Sequence, residues 1–210
     1  MTAIVPSKDL VILVADRNIE YVMKGLLSRP KALMMREITY DIFGHPEHDA
    51  GCLLHGCDFL RPFVNRCSHA LIILDHEGCG QEQKRRTELE NNIENQLANS
   101  GWHNRAVAIV IEPELENWVW SDSPHVDSVL GWEGRQPDLK SWLNIQGFLN
   151  EGQNKPVHPK EAMEMALKNV KKARSSALFL QLAQKVSVDR CTDPSFVKLK
   201  TVLAAWFPQS

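Results

Sequence analysis

The chain has 210 residues, enough for one domain with an extension or for one and a half domains. Its 43% hydrophobic and 24% charged residues are typical of a globular protein and exclude a disordered chain. No apolar run approaches the roughly 20 residues of a membrane helix. The start, MTAIVPSKDL, lacks the basic and long apolar segments of a signal peptide. We therefore expect a cytoplasmic protein with no membrane partner.

Charge is distributed unevenly along the chain. Residues 1–154 hold 14 basic and 22 acidic residues, a net charge of -8, whereas residues 155–210 hold 10 and 4, a net charge of +6. An acidic front with a basic tail fits a metal site beside a surface that binds a polyanion. Two solvated faces that neutralise each other would give the same pattern.

The cysteines do not predict a disulfide framework. Their number is odd and no secretory signal precedes them, so most should be small buried apolar side chains. They are Cys52, Cys57, Cys67, Cys79 and Cys191.

The first half of the chain alternates predicted strands and helices. Residues 9–15 (DLVILVA) form a nearly continuous apolar run, typical of a strand buried on both faces. A helix is predicted next, with Asn18 as its N-cap and Pro30 beyond its end. A second strand is predicted over 36–43, where apolar and polar residues alternate, and a loop over 45–51.

The alternation continues through residue 111. A helix is predicted over 53–64, a buried strand over 70–74, a long polar helix over 81–98 and a buried strand over 106–111. Strands that alternate with helices indicate βαβ units, and therefore an α/β fold with a mostly parallel sheet.

The pattern changes after Trp120. Residues 121–137 are predicted to be irregular with short helices, and 152–159 resemble a linker. Three helices are predicted after that, over 160–170, 176–186 and 194–206, the last capped by Asp193. We thus predict an α/β core over 1–122 and, over 123–210, an irregular segment with a helical extension packed on that core.

Acidic residues follow three of the predicted buried strands. They are Asp16 after the first, Asp75 and Glu77 after the third, and Glu112, Glu114 and Glu116 after the fourth. Ligands of open parallel sheets bind outside the carboxyl ends of the strands. Carboxylates gathered there repel one another unless a cation is present, and Mg2+ or Mn2+ prefers such oxygen ligands. A metal ion held there would activate water against a phosphodiester.

The Asp75-x-Glu77 pair has two interpretations. In an extended segment both side chains point to one side, with His76 opposite, and Gly78 and Gly80 allow a ligand close to the backbone. An ordinary strand end that runs into an acidic turn would have the same sequence.

Other residue patterns in the sequence give weaker predictions of function. The residues His45, His48, Cys52, His55 and Cys57 include zinc-ligand types, but their spacing matches no standard finger, which favours a loop with incidental histidines. The sequence has no phosphate-binding loop, dinucleotide fingerprint or nucleophile elbow.

The basic tail offers candidate contacts for a phosphate backbone. They are Lys160, Lys168, Lys171, Lys172 and Arg174. Lys168, Lys171 and Lys172 would share a helix face, and Arg174 with the two serines after it would form a phosphate-binding helix start. A solvated helix face explains the same residues.

Three segments in this order resemble the motifs of Toprim-like proteins of the RloB and overcoming-lysogenization-defect type. They are LVADRNIEYVMKGLL, LIILDHEGCG and IEPELENWVW. The segments DHEGCG and PELENWVWS, with the tail CTDPSFVKLK and WFP, are most similar to the methylation-associated anti-phage defence group. The resemblance covers most of the chain.

The resemblance implies a Toprim fold and phosphodiester chemistry that depends on a divalent metal. It assigns Asp75 and Glu77 to the second motif and Glu116, two residues before Trp118, to the third. The first motif's glutamate and glycine correspond to Ala15 and Asp16. Either Asp16 takes the place of the glutamate or the catalytic acid is missing.

Two functional hypotheses follow. In the first, the protein is a nuclease of a prokaryotic anti-phage system, with Mg2+ or Mn2+ held by Asp75, Glu77, Glu116 and Asp16, which together form the catalytic set. Asp16 would orient water or act as the base, and nucleic acid, DNA in preference to RNA, would be the partner. In the second, the protein is a catalytically inactive Toprim-like binding subunit of a multi-protein defence complex.

Overall fold

The computed structural model describes residues 6–150 and 152–209. Residues 1–5, at the start of the predicted core and of the segment MTAIVPSKDL, lie outside the described residues. Residues 151 and 210 of the predicted extension also lie outside them. The strands are β1 (Lys8–Val14), β2 (Tyr40–Gly44), β3 (Cys67–Asp75) and β4 (Ala106–Ile111). The helices among them are α1 (Arg17–Leu27), α2 (His48–Leu60) and α3 (Arg86–Leu97). After β4 come α4 (Glu116–Val119), α5 (His125–Leu130), α6 (Leu139–Ile145), α7 (Pro159–Asn169), α8 (Ser176–Lys185) and α9 (Pro194–Trp206).

The strands form one parallel sheet in the order β2-β1-β3-β4. The prediction of an α/β fold with a parallel sheet and a C-terminal helical extension is therefore confirmed. From β1 the chain moves outward to β2, then returns to β3 on the other side of β1. The connections thus change direction between β1 and β3. Parallel sheets open a crevice at such a point, outside the carboxyl ends of the two strands.

The helices enclose the sheet. Helix α2 packs against β1 and β3, and α3 packs against β4 and α2. In the C-terminal extension, α8 packs along α1, and α9 packs against β4. Most residues of β1, β3 and β4 are consequently buried on both faces, as their continuous apolar sequences predict, whereas the residues of β2 are only partly buried or exposed. No helix in the described part of the chain is both long and apolar enough to cross a lipid bilayer.

The first two helix starts differ from the predictions. The N-cap of α1 is Asp16 and not Asn18, because the extended backbone of Asp16 lets its side chain accept the Ile19 N–H at 2.8 Å. Helix α2 starts at His48, so the predicted loop over 45–51 is wrong beyond residue 47. The glycine of that segment, Gly51, lies inside the helix, where it leaves room for the ring of His45.

Two other elements are shorter than predicted. Strand β2 begins at Tyr40, and Arg36, where the predicted strand started, instead donates its N–H to the Phe207 carbonyl at 2.9 Å. Helix α3 begins at Arg86, since the N–H groups of Gly78 and Gly80 both bond to Glu82 and hold this segment as a turn.

All five cysteines are buried and free, as predicted. Burial raises the pKa of Cys57 to about 11 and raises that of Cys52 further. Both thiols therefore stay protonated at neutral pH and act as small apolar groups.

Candidate functional site

The predicted acids Asp16, Asp75, Glu77 and Glu116 line one cavity of about 270 Å³, which we call the strand-end cleft. Its other lining residues are Asn18, Asp49, Gly78, Glu114, Leu115, Lys160 and Arg174. The fold brings these residues together because β1, β3 and β4 are parallel and end at the same edge of the sheet. Glu112 is exposed and is not part of this lining.

Asp16 lies where β1 passes into α1. One carboxylate oxygen accepts the Ile19 N–H at 2.8 Å, and the other accepts a hydrogen bond from Asn18 Nδ2 at 3.2 Å. The side chain is therefore a helix cap and a cleft residue at once. These bonds fix its orientation at the first turn of α1, where the helix dipole favours a negative charge.

Asp75 ends β3 at the centre of the cleft. Its Oδ1 atom is fully buried and has no hydrogen-bond partner within the described residues. Burial raises the pKa of Asp75 well above its usual value, and the nearby carboxylates of Asp49 and Glu116 raise it further. A buried carboxylate oxygen with no donor is costly, and binding of a cation would relieve that cost.

Asp49 is a cleft residue that the sequence analysis missed. It lies in the first turn of α2, and its Oδ1 accepts the backbone N–H of Asp75 at 2.8 Å. Burial raises the pKa of Asp49, while the Asp75 N–H opposes that shift. The signal was present in the sequence as an acidic residue at a helix start, but the predicted loop over 45–51 concealed the helix.

Glu77 extends the acidic lining toward solvent. Its backbone N–H bonds to the Pro113 carbonyl at 2.9 Å, which joins the segment after β3 to the segment after β4. The side chain is exposed. His76, between the two acids, turns away and approaches the Lys84 carbonyl at 2.8 Å. Asp75 and Glu77 thus line the cleft from one side of the segment, as the two-residue spacing predicts.

Glu116 and Glu114 are paired with cations of the C-terminal extension. Arg174 donates from Nε at 3.2 Å and also from Nη2 to Oε1 of Glu116, whose side chain is only 2% exposed. Glu114 accepts the backbone N–H of Lys160 at 3.1 Å, and the Lys160 ammonium lies 3.6 Å from its other oxygen. These two glutamates therefore have positive partners within the protein itself.

Asp193 anchors the segment that carries Glu116. This buried residue caps α9 by accepting the N–H of Ser195 at 2.9 Å. The same carboxylate accepts hydrogen bonds from Asn117 Nδ2 at 2.6 Å and from Trp118 Nε1 at 3.3 Å, both in α4. The segments 116–118 (ENW) and 192–195 (TDPS) are thus in contact through Asp193. This contact fixes the start of α4 beside the cleft.

Only two of the five predicted basic residues, Lys160 and Arg174, line the cleft. The predicted shared helix face of Lys168, Lys171 and Lys172 is wrong, because α7 ends at Asn169 and Lys171 adopts a left-handed backbone with φ +56°. Lys172 donates to the Val129 carbonyl at 2.5 Å, away from the cleft lining.

The start of α8 contacts Asn18, which lines the cleft. Ser175 is its N-cap and accepts the Leu178 N–H at 3.3 Å, while Ser176 donates to Asn18 Oδ1 at 2.9 Å. The predicted helix start after Arg174 therefore exists, and it lies against the first turn of α1.

The cleft has ligands suited to a hard divalent cation, but these ligands are not arranged around a common point. Its donors are carboxylate oxygens, and Asp75 Oδ1 lacks a partner. Within residues 6–150 and 152–209, however, no three Asp, Glu, His or Cys side chains are grouped closely enough to hold a metal ion as they stand. Binding of an ion through three or more of these side chains would therefore require some of them to lie closer together. The same finding gives no support to zinc among the histidines and cysteines of residues 45–57.

Comparisons with known proteins add no relative. No protein-family model, curated protein or solved structure matches the chain.

Proposed function

We propose that this protein is a Toprim-like nuclease that hydrolyses phosphodiester bonds of nucleic acid with Mg2+ or Mn2+. The observation that carries the proposal is the composition of the strand-end cleft, where carboxylates of the core face Lys160 and Arg174 of the extension. Carboxylates suit a hard cation, and Lys and Arg suit the phosphate that such a cation accompanies. Membership of a prokaryotic anti-phage system rests on the sequence resemblance alone.

The core acids would hold the ion. Asp75 supplies an oxygen that has no other partner, Glu77 is exposed at the mouth of the cleft, and Asp16 is held in a fixed orientation by its helix-cap bonds. When bound, the ion would neutralise charge on the scissile phosphate and lower the pKa of a water molecule. Asp16 would orient that water.

The two cations would bind the phosphate. Arg174 gives two N–H groups to Glu116 and keeps three, and its side chain is 31% exposed. The Lys160 side chain is 51% exposed, so its ammonium also reaches solvent. A nucleic acid strand, DNA in preference to RNA, would therefore meet positive charge on the extension and the metal site on the core.

Cleavage by the purified full chain tests the proposal. DNA and RNA substrates are incubated with Mg2+, Mn2+ or EDTA, and Asp75→Asn and Glu77→Gln are compared with the wild type. We expect metal-dependent cleavage that each substitution slows by roughly a hundredfold or more. Asp58→Asn is the matched control, since Asp58 lies on α2 with its side chain 73% exposed. Cleavage that survives EDTA, or that both cleft variants retain, would refute the nuclease.

A second candidate function is a catalytically inactive subunit that binds other defence proteins. The observation that favours it is the pairing of Glu116 with Arg174 and of Glu114 with Lys160, which leaves these acids neutralised without a metal. Stable co-purification with proteins encoded beside its gene, together with no cleavage under any metal condition, would support this candidate. Turnover by the isolated chain would rule it out.

A further inference from the structure

The acids of the cleft fall into two groups by the partners they have. Glu114 and Glu116 each form an ion pair with the extension. Among the described residues, Asp16, Asp49, Asp75 and Glu77 form none within 4.0 Å. Asp49 and Asp75 differ from the other two because a hydrogen bond joins them at the change of direction between β1 and β3. Lys160 and Arg174 therefore neutralise Glu114 and Glu116 and form no ion pair with Asp49 or Asp75.

The contact between the two aspartates occupies Oδ1 of Asp49 and does not involve the side chain of Asp75. The Asp75 N–H fixes Asp49 through Oδ1 at 2.8 Å, and Asp49 Oδ2 lies 3.8 Å from the position that a Cβ atom on Gly78 would occupy. Asp49 and Gly78 both line the cleft, and Oδ2 is the atom of Asp49 that approaches Gly78. On the partner residue, Asp75 Oδ1 is fully buried and has no donor.

The fold fixes Asp49 between the ends of β1 and β3. The ring of the preceding residue, His48, lies 3.2 Å from the carbonyl oxygen of Ala15, and Asp49 itself bonds the last residue of β3. The first turn of α2 thereby spans the crevice. The Asp49 carboxylate itself is oriented by one backbone donor, the Asp75 N–H, and such support favours a metal ligand.

We propose that Asp49 is a metal ligand of the strand-end cleft and forms, with Asp75, the pair of carboxylates around which a divalent cation binds. Glu116 has a different role, since it holds Arg174 in position. This inference depends on the proposed metal site and adds a ligand to it.

Direct Mn2+ binding tests the inference without relying on cleavage. Calorimetric titration of the full chain compares the wild type with Asp49→Asn, which keeps the size of the side chain and an oxygen that can accept the Asp75 N–H. We expect the Kd for Mn2+ to rise by roughly tenfold or more, because loss of a ligand should cost at least as much as loss of an outer partner. Unfolding of the metal-free variant in denaturant should be as cooperative as that of the wild type, which separates a ligand from a merely structural residue.

Asp58→Asn, on the exposed face of the same helix, is the control and should bind Mn2+ like the wild type. Asp49→Asn that binds Mn2+ with unchanged affinity would overturn the inference and leave the nuclease proposal intact. Mn2+ binding that requires Asp49, in a protein that cleaves no nucleic acid, would uphold the inference and remove the nuclease. A wild type that binds no Mn2+ would overturn both.

Discussion

Arg174 and Glu116 form an ion pair that joins the C-terminal extension to the edge of the sheet where the cleft lies. Two guanidinium N–H groups converge on one carboxylate oxygen, and the Arg174 guanidinium also lies 5.2 Å from the centre of the Phe179 ring. The Glu116 side chain is 2% exposed whereas that of Arg174 is 31% exposed. The two residues should therefore differ in what their loss costs in stability. Loss of the arginine would leave a buried charge without a partner, whereas loss of the glutamate would not.

Arg174→Ala should lower the free energy of unfolding by about 2 kcal/mol, less than for a fully buried pair because the arginine is partly exposed. Denaturant unfolding of the metal-free protein measures this. The effect should depend on Glu116, because the unpaired charge that Arg174→Ala leaves is that of Glu116. In a Glu116→Gln background, Arg174→Ala should therefore lower the free energy of unfolding much less. An equal cost in both backgrounds would mean that Arg174 stabilises the protein through Phe179 alone.

Asp75→Asn should stabilise the metal-free protein at neutral pH. The pKa of Asp75 is raised in the folded state above the ordinary value of 3.8, so between these two pKa values the folded protein keeps a proton that the unfolded chain loses. The free energy of unfolding of the wild type therefore falls as pH rises from about 3.8 through the folded-state pKa. Because the asparagine does not ionise, the variant should be more stable by roughly 1–2 kcal/mol near pH 7.5, with the difference vanishing near pH 4.

Denaturant titrations in EDTA at a series of pH values measure this difference. Asp58→Asn, at an exposed position of α2, should show no such trend. A gain from Asp75→Asn that is the same at pH 4 and pH 7.5 would contradict an origin in the ionisation of Asp75.

Lys198→Met should destabilise the protein at the outer edge of β4, the edge that does not pair with β3. The Lys198 ammonium donates to Glu90 at 3.1 Å, to Glu94 at 2.7 Å and to the Ala108 carbonyl at 2.9 Å. Glu90 and Glu94 in turn accept the backbone N–H groups of Val110 and Ala108, so the polar edge of this strand is satisfied by side chains. We expect a loss of about 1–3 kcal/mol in denaturant unfolding.

Lys200→Met is the matched control for this edge. Lys200 lies on the same helix, and its side chain is 17% exposed. Its partner Asp189 is 79% exposed and methionine keeps an apolar stem, so the substitution should cost well under 1 kcal/mol. Equal effects of the two substitutions would show that the edge contacts of Lys198 contribute nothing of their own.

Gly25→Ala should loosen the contact between α1 and α8. A Cβ atom at Gly25 would lie 2.6 Å from the Ala183 Cβ and 2.9 Å from the Leu180 carbonyl oxygen. Since the helices must separate to admit it, the free energy of unfolding should fall by about 1–3 kcal/mol. Gly44→Ala is the control, because a Cβ there meets nothing within 4 Å. Thermal unfolding compares the two, and a neutral Gly25→Ala would show that α8 can shift away from α1 without cost.

Local sequence determined the strands and the later helices. Residues 106–111 and 194–206 have the predicted bounds. A continuous run of small and β-branched apolar residues favours a strand buried on both faces, and Asp193 with Pro194 can start a helix without distant contacts. The predicted strand ends also placed Asp16, Asp75, Glu77 and Glu116 at one edge of the sheet, since parallel strands share the direction in which they end.

Only the tertiary structure decided which partners those acids have. Asp49 entered the cleft because α2 starts at His48, in a segment whose His, Pro and Gly content favours a loop when it is considered alone. Arg174 reached Glu116 across 58 positions of sequence because α8 packs along α1. The physical reason is that helix propensity and hydrophobic periodicity act over neighbouring residues, whereas the charge balance of a cleft depends on which distant segments pack beside it.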